Sequence, residues 1–324
     1  MRLSLVCALS SVTAVAVGST PTANAAGPTQ GGHGPWVVAE EQAGVRMVDL
    51  TIQSPALGRA AKVRMLTPDG WDQRRPGDRW PVFYLLHGCC DSYDSWTQET
   101  DIATLPQLRH VLVVMPDAGP VGWYSNWWNH GAGGPPAWET FHLREIPSLL
   151  ERHYGAGHPR VIAGLSMGGF GALSYAARHP GMFQAAASYS GVVHPLDPSF
   201  HNGLMDFLAE SGEDPLALWG DPTDQREIWQ AHDPYYLAHR LRTTPIFLST
   251  GDGTPGPFDP AGPTDDLEAV INDLNHTVVT RFERAGVSLT TDFYGPGTHS
   301  WPYWERELHR SLPMLLRALS IKIA

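Results

Sequence analysis

The sequence predicts an α/β fold, a mostly parallel central sheet with helices on both faces. Three observations carry this. Short apolar runs such as PVFYLL (81–86) and VLVVM (111–115) alternate with amphipathic stretches, the pattern of strands buried on both faces and helices laid over them. Each run ends at turn residues, His87-Gly88 and Pro116-Asp117. The chain is 42% hydrophobic and 17% charged, enough apolar material for a packed core without a metal or disulfide framework.

The elements follow in order. Val45–Ile52 and Ala61–Leu66 read as an antiparallel entry to the sheet. Pro81–Leu86, Val111–Met115, Arg160–Ala163, Ala185–Tyr189, Ile246–Ser249 and Ser288–Phe293 read as the repeating strands. Trp138–His153, Gly169–Arg178, Asp265–Ala285 and Trp301–Leu319 read as helices with apolar positions at 3.6 spacing. Two insertions interrupt this order, 119–136 (it contains VGWYSNWWNHGAGGPP) and 194–244 with Trp219 and Trp229. Both follow strand C-terminal ends, where open α/β sheets bind ligands. The twelve tryptophans line a cleft or fill the core; composition does not decide between them.

Ahead of the fold, Arg2, the apolar run Leu3–Val17 and Ala23-Asn24-Ala25 predict an export signal over 1–25, cut before Ala26. Residues 26–36 predict a disordered lead-in, and 37–324 one domain. The expected product is secreted and extracellular, with no transmembrane segment. The net charge of −11 argues against a nucleic-acid partner. Of three cysteines, Cys7 belongs to the export signal; Cys89 and Cys90 are adjacent. Either two thiols or one strained bridge is open there, and a disulfide framework is excluded.

The chemistry centres on Gly164-Leu165-Ser166-Met167-Gly168. G-x-S-x-G between a strand and a helix is the nucleophile turn of α/β-hydrolase-type folds, where flanking side chains would clash. Serine needs a histidine base and an orienting carboxylate, in chain order Ser, acid, His. Of fifteen histidines, His299 sits between the last predicted strand and the last helix, the base's position. For the acid, Asp252 follows a strand in Thr250-Gly251-Asp252-Gly253, which pattern alone favours; Glu268 lies on the next helix. The backbone amides of Met167 and Cys89 are the expected oxyanion donors. No HExxH, CxxC pair or phosphate-binding loop is present, so neither metal nor cofactor is expected, and DPTD (221–224) reads as a turn.

Several segments together resemble the mycobacterial trehalose mycolyltransferases (the antigen 85 complex) and the secreted esterases around them. They are Leu85-Leu86-His87-Gly88, Tyr124-Ser125-Asn126-Trp127, Trp138-Glu139-Thr140-Phe141, Gly164–Met167, and Gly297-Thr298-His299-Ser300-Trp301 with Tyr303-Trp304. The resemblance implies a Ser166–Glu268–His299 triad, since the family's acid sits in a Leu-Glu pair matched by Leu267-Glu268, with Asp252 as runner-up. It also implies Trp301 as a wall beside the base and His87 as a substrate-binding position. The family carries Asp where this chain has His87 and Arg where it has Cys90. Without those groups, trehalose is not the expected acceptor. A small-molecule, lipid or glycolipid ester is the expected substrate, hydrolysed or passed to an alcohol. The contrasting reading is a non-catalytic secreted adhesin or carbohydrate-binding relative.

Overall fold

A computed structural model describes residues 34–321. The expected export signal, with Cys7, lies outside the described residues, as does most of the 26–36 lead-in. The described end of that lead-in is already ordered as strand, because Trp36 begins β1.

One nine-stranded sheet organises the described chain. Its strands are β1 (Trp36–Gly44), β2 (Met47–Ser54), β3 (Arg59–Leu66), β4 (Trp80–Leu86), β5 (Leu112–Pro116), β6 (Ala156–Leu165), β7 (Ala186–Tyr189), β8 (Ile246–Thr250) and β9 (Leu289–Phe293). Their order is β1-β2-β3-β5-β4-β6-β7-β8-β9. From β5 to β9 all neighbours are parallel; β1, β2 and β3 extend one edge antiparallel. Sequence reading missed β1. Its Glu40, Glu41 and Gln42 are exposed, and such polar side chains suit an edge strand that must not pair further.

The helices are α1 (Ser95–Glu99), α2 (Trp138–Thr140), α3 (Ile146–Leu149), α4 (Met167–Arg178), α5 (His201–Glu210), α6 (Arg226–His232), α7 (Pro234–Leu237), α8 (Asp266–Ala285) and α9 (Trp301–Ala318). The helix expected over 138–153 forms, with wider π-type turns at Phe141–Glu145 and Leu150–Tyr154. Strand alternation builds a core on each face. Val82, Tyr84 and Leu86 pack in one cluster with Phe170 and Leu173 of α4 and Ile271 and Leu274 of α8. Phe83 and Leu85 pack in the other with Leu308, Leu312 and Leu315 of α9. Each fully buried side chain of this kind stabilises by roughly 1.5–3 kcal/mol.

This architecture brings the C-terminal ends of β4, β6, β8 and β9 to one rim. The loops carrying 87–90, Ser166, the 251–265 connection and His299 leave the sheet there. The insertion 194–244 folds into α5, α6 and α7, helices that its polar and aromatic composition did not announce.

Candidate active site

β6 is buried from Arg160 to Leu165, and the chain turns into α4 at Met167. Ser166, between them, holds φ 51° and ψ −119°, a strained backbone for a residue with a Cβ. The flanking glycines allow it. A Cβ on Gly164 would lie 2.3 Å from the Gly168 carbonyl oxygen, and one on Gly168 would lie 2.5 Å from that of Leu86. The amide of Ser166 donates to the Tyr189 carbonyl at 2.9 Å, which ties the turn to β7. Ser166 is 7% exposed and lines a pocket with Cys89.

His299 follows β9 and precedes α9. Its Nδ1 lies 2.6 Å from Glu268 Oε2. Glu268 is fully buried, on the first turn of α8. Its other oxygen, Oε1, accepts from the Gly251 amide at 2.8 Å and from Ser190 Oγ at 2.7 Å, with Thr250 Oγ1 at 2.9 Å. A buried carboxylate is tolerated when its lone pairs are met in this way. With Glu268 as acceptor, His299 carries its proton on Nδ1 and leaves Nε2 basic.

Asp265 caps α8, its Oδ1 accepting from the amides of Leu267 and Glu268, while its Oδ2 accepts from the His299 amide at 2.9 Å. The sequence Asp265-Asp266-Leu267-Glu268 carries the D-x-x-E signature of a helix start, which explains why Glu268 reads locally as a surface residue. Asp252 bonds its own turn instead, accepting from the amide and hydroxyl of Thr254 at 2.8 and 2.5 Å. Asp252 therefore serves its own turn.

The structure revises two other positions. His87 is 1% exposed. Its Nδ1 meets the Gly88 carbonyl at 2.8 Å and its Nε2 accepts from the Ala118 amide at 2.9 Å. Both ring nitrogens meet backbone groups, with Asp117 Oδ1 3.7 Å from Nε2, so His87 shapes the loop after β4. Trp301 is not the ring against His299. That ring is Trp304, edge-on at 4.8 Å, with Trp301 edge-on to Trp304 in turn at 5.3 Å. Trp304 Nε1 also donates to Ser190 Oγ at 3.1 Å. Ser190 had no signal beyond proximity to a strand end, and Trp304 none beyond its place in the Tyr303-Trp304 pair of the resemblance.

Cys89 is a free thiol, so the two adjacent cysteines are not bridged to each other. Its amide belongs to the loop after β4, and Met167 opens α4, where no preceding carbonyl of the helix can take its amide. DPTD is the expected turn, with Asp221 Oδ1 accepting from the Thr223 and Asp224 amides at 2.7 and 3.0 Å.

The aromatic insertion serves mainly the core. Trp123, Tyr124, Trp127 and Trp138 are buried; only Trp123 of these reaches the Ser166 pocket. Tyr124 donates to the His87 carbonyl at 2.9 Å, bracing the loop before Cys89. Glu139 braces the far end of α4, 2.6 Å from His179 Nε2 and 3.1 Å from Arg178. Burial alone would raise its pKa; the His179 hydrogen bond and the Arg178 charge win, holding it at about 2. Among the described residues, Asp101, Glu305 and His309 form a metal-sized group, but Asp101 already bonds both partners. No described helix is long and apolar enough to cross a membrane.

Comparison with known proteins identifies the family. The family described as "Putative esterase" matches residues 54–315. The diacylglycerol acyltransferase/mycolyltransferase Ag85B of Mycolicibacterium smegmatis is 31% identical over 287 residues, 83% of this chain and 84% of the relative. Esterase Rv1288 of Mycobacterium tuberculosis is 34% identical over 229 residues, 68% of this chain, which spans 49% of that relative. The crystal structure of Mycobacterium tuberculosis MPT51 shares the fold, with a TM-score of 0.67 at 24% identity over 83% of this chain and 97% of that one. The chain belongs to this esterase family, as an ester hydrolase or acyltransferase built on the α/β-hydrolase fold.

Proposed function

We propose that the chain is an exported serine enzyme that opens carboxylic esters through an acyl-enzyme on Ser166. The observation that carries this reading is the hydrogen bond between buried Glu268 and His299, with Ser166 on a glycine-walled turn at the same rim of the sheet. His299 Nε2 takes the Ser166 proton as Oγ attacks the ester carbonyl. Charge developing on the carbonyl oxygen is met by the amides of Met167 and Cys89. Collapse breaks the ester bond, and the alcohol leaves with the proton from His299. Water or a second alcohol, deprotonated by the same nitrogen, then releases the acyl group and restores Ser166. Glu268 holds the imidazole in the tautomer that works and stabilises it when charged.

Water is the proposed acceptor rather than trehalose. Position 87 supplies a histidine whose ring is committed to backbone groups, and position 90 supplies no guanidinium. Export rests on the charged, apolar and A-x-A order of residues 2–25; the amino-terminal sequence of protein recovered from culture supernatant checks it, with Ala26 expected first. The mechanism is tested with Ser166→Ala on p-nitrophenyl esters. Loss of at least about 10³-fold in kcat is expected, and turnover that survives sinks the assignment. Incubation with an acyl donor and trehalose should give mainly free acid by mass spectrometry.

A further inference from the structure

Resting on Ser166 as the nucleophile, we propose that the acyl group this site accepts is compact, uncharged and apolar. Beside Ser166 lies a pocket whose clear interior is small, about 10 Å³, on the order of a single water site, so it admits only a slender group. Its walls are Trp123, Val192, Phe200, Leu204, Phe207 and Leu267, with no charged side chain among them. A carboxylate or ammonium on the acyl group would be desolvated there without a partner.

The depth of the pocket is fixed by two elements. Leu204 and Phe207 stand three residues apart on α5, so they project from one face of the helix. Opposite, Trp123 is backed by Phe170 at 5.7 Å and Trp219 at 6.3 Å, both fully buried. A long chain cannot continue through this aromatic stack without displacing side chains packed at interior density. Each methylene that enters raises kcat/KM by up to about fourfold. The gain stops once the pocket is full.

A p-nitrophenyl ester series from two to sixteen carbons, read as kcat/KM with the full chain, tests this. An optimum at about eight carbons or fewer is expected from so small an interior, with a carboxylate-ended acyl group at least about tenfold worse than its apolar isostere. Phe207→Ala, or Phe207→Leu if the alanine variant fails to fold, should move the optimum to longer chains. An optimum of twelve carbons or more, or one that neither variant moves, overturns the pocket assignment. Failure of the wild-type protein to turn over any ester overturns the esterase mechanism instead.

A separate observation makes Asp265 a positioning residue, we infer, for both the acid and the base. One carboxylate holds the amides that open the Glu268 helix and the amide of His299, and its own amide donates to the Gly253 carbonyl at 2.7 Å. Asp265→Asn separates the two tasks. Its side-chain oxygen still caps α8, since asparagine is as good a cap as aspartate, but its NH₂ then confronts the His299 amide. The expected result is a fall of about tenfold or more in kcat with KM within about twofold, while the thermal midpoint stays above that of Asp265→Ala. A kcat per folded molecule within about twofold of wild type overturns the inference.

Discussion

The Ser166 turn and the Glu268–His299 pair are held by different means. At the turn, backbone atoms of neighbouring segments stand where side chains would be, so shape follows from van der Waals exclusion among Gly164, Gly168 and the end of β4. At the pair, residues 31 apart in sequence meet through hydrogen bonds, and Ser190, Thr250, Gly251 and Asp265 each hold one part. The contrast teaches that one half of the site should fail all at once when crowded. The other should fail by degrees, according to which bond is cut.

The sharpest break lies within the pair. Glu268→Gln should lower kcat by about 10³-fold or more, because the imidazole loses its anion and its tautomer. Asp252→Asn, confined to its own turn, should cost less than about fivefold; the reverse ranking in steady-state kinetics would move the acid to Asp252. Next in size comes the turn. Gly168→Ala places a Cβ within 2.5 Å of a carbonyl oxygen, and urea unfolding should show a loss of about 3 kcal/mol.

Away from both halves, Glu139 anchors α4. Its folded pKa of about 2 lies below its ordinary value of 4.5. Its stabilisation is therefore fully present above about pH 4.5 and is lost as pH falls toward 2. Glu139→Gln should be less stable than wild type by about 2–3 kcal/mol at pH 6, with the gap closing through that window. The smallest effect belongs to Glu307 on α9. Burial pushes it up to about 7 from 4.5, against the offset of Arg306. The folded state then holds a proton that the unfolded chain has released, so stability should decline as pH rises from about 4.5 to 7. Glu307→Gln should flatten that slope by at least about 1 kcal/mol, seen in melts across that range.

The same contrast explains what could be read in advance. The Ser166 turn is local and steric, so five consecutive residues announce it, and the buried strands announce themselves by apolar runs. Glu268 is different. Its burial depends on α8 docking over β8 and β9, and its local D-x-x-E context looks like any helix start. Only likeness to a known family separated it from Asp252. β1 escaped because an edge strand needs no apolar face, and α5 to α7 because their composition resembles a loop. His87 is hard to read for a related cause. A histidine that closes on backbone groups and one that greets a ligand are the same letter in the same loop, and only the partners of its two nitrogens tell them apart.

The order in which the sheet delivers its rim has a consequence in time. The proposed oxyanion loop after β4 and Ser166 after β6 are synthesised well before Glu268, and His299 comes after the last strand, β9. Anything that stops the chain early, whether a nonsense mutation, a protease or a stalled ribosome, yields a fragment with a serine and no base. In the proposed arrangement, ester chemistry reports on completion of the whole sheet, and a partly made chain stays inert toward the esters around it.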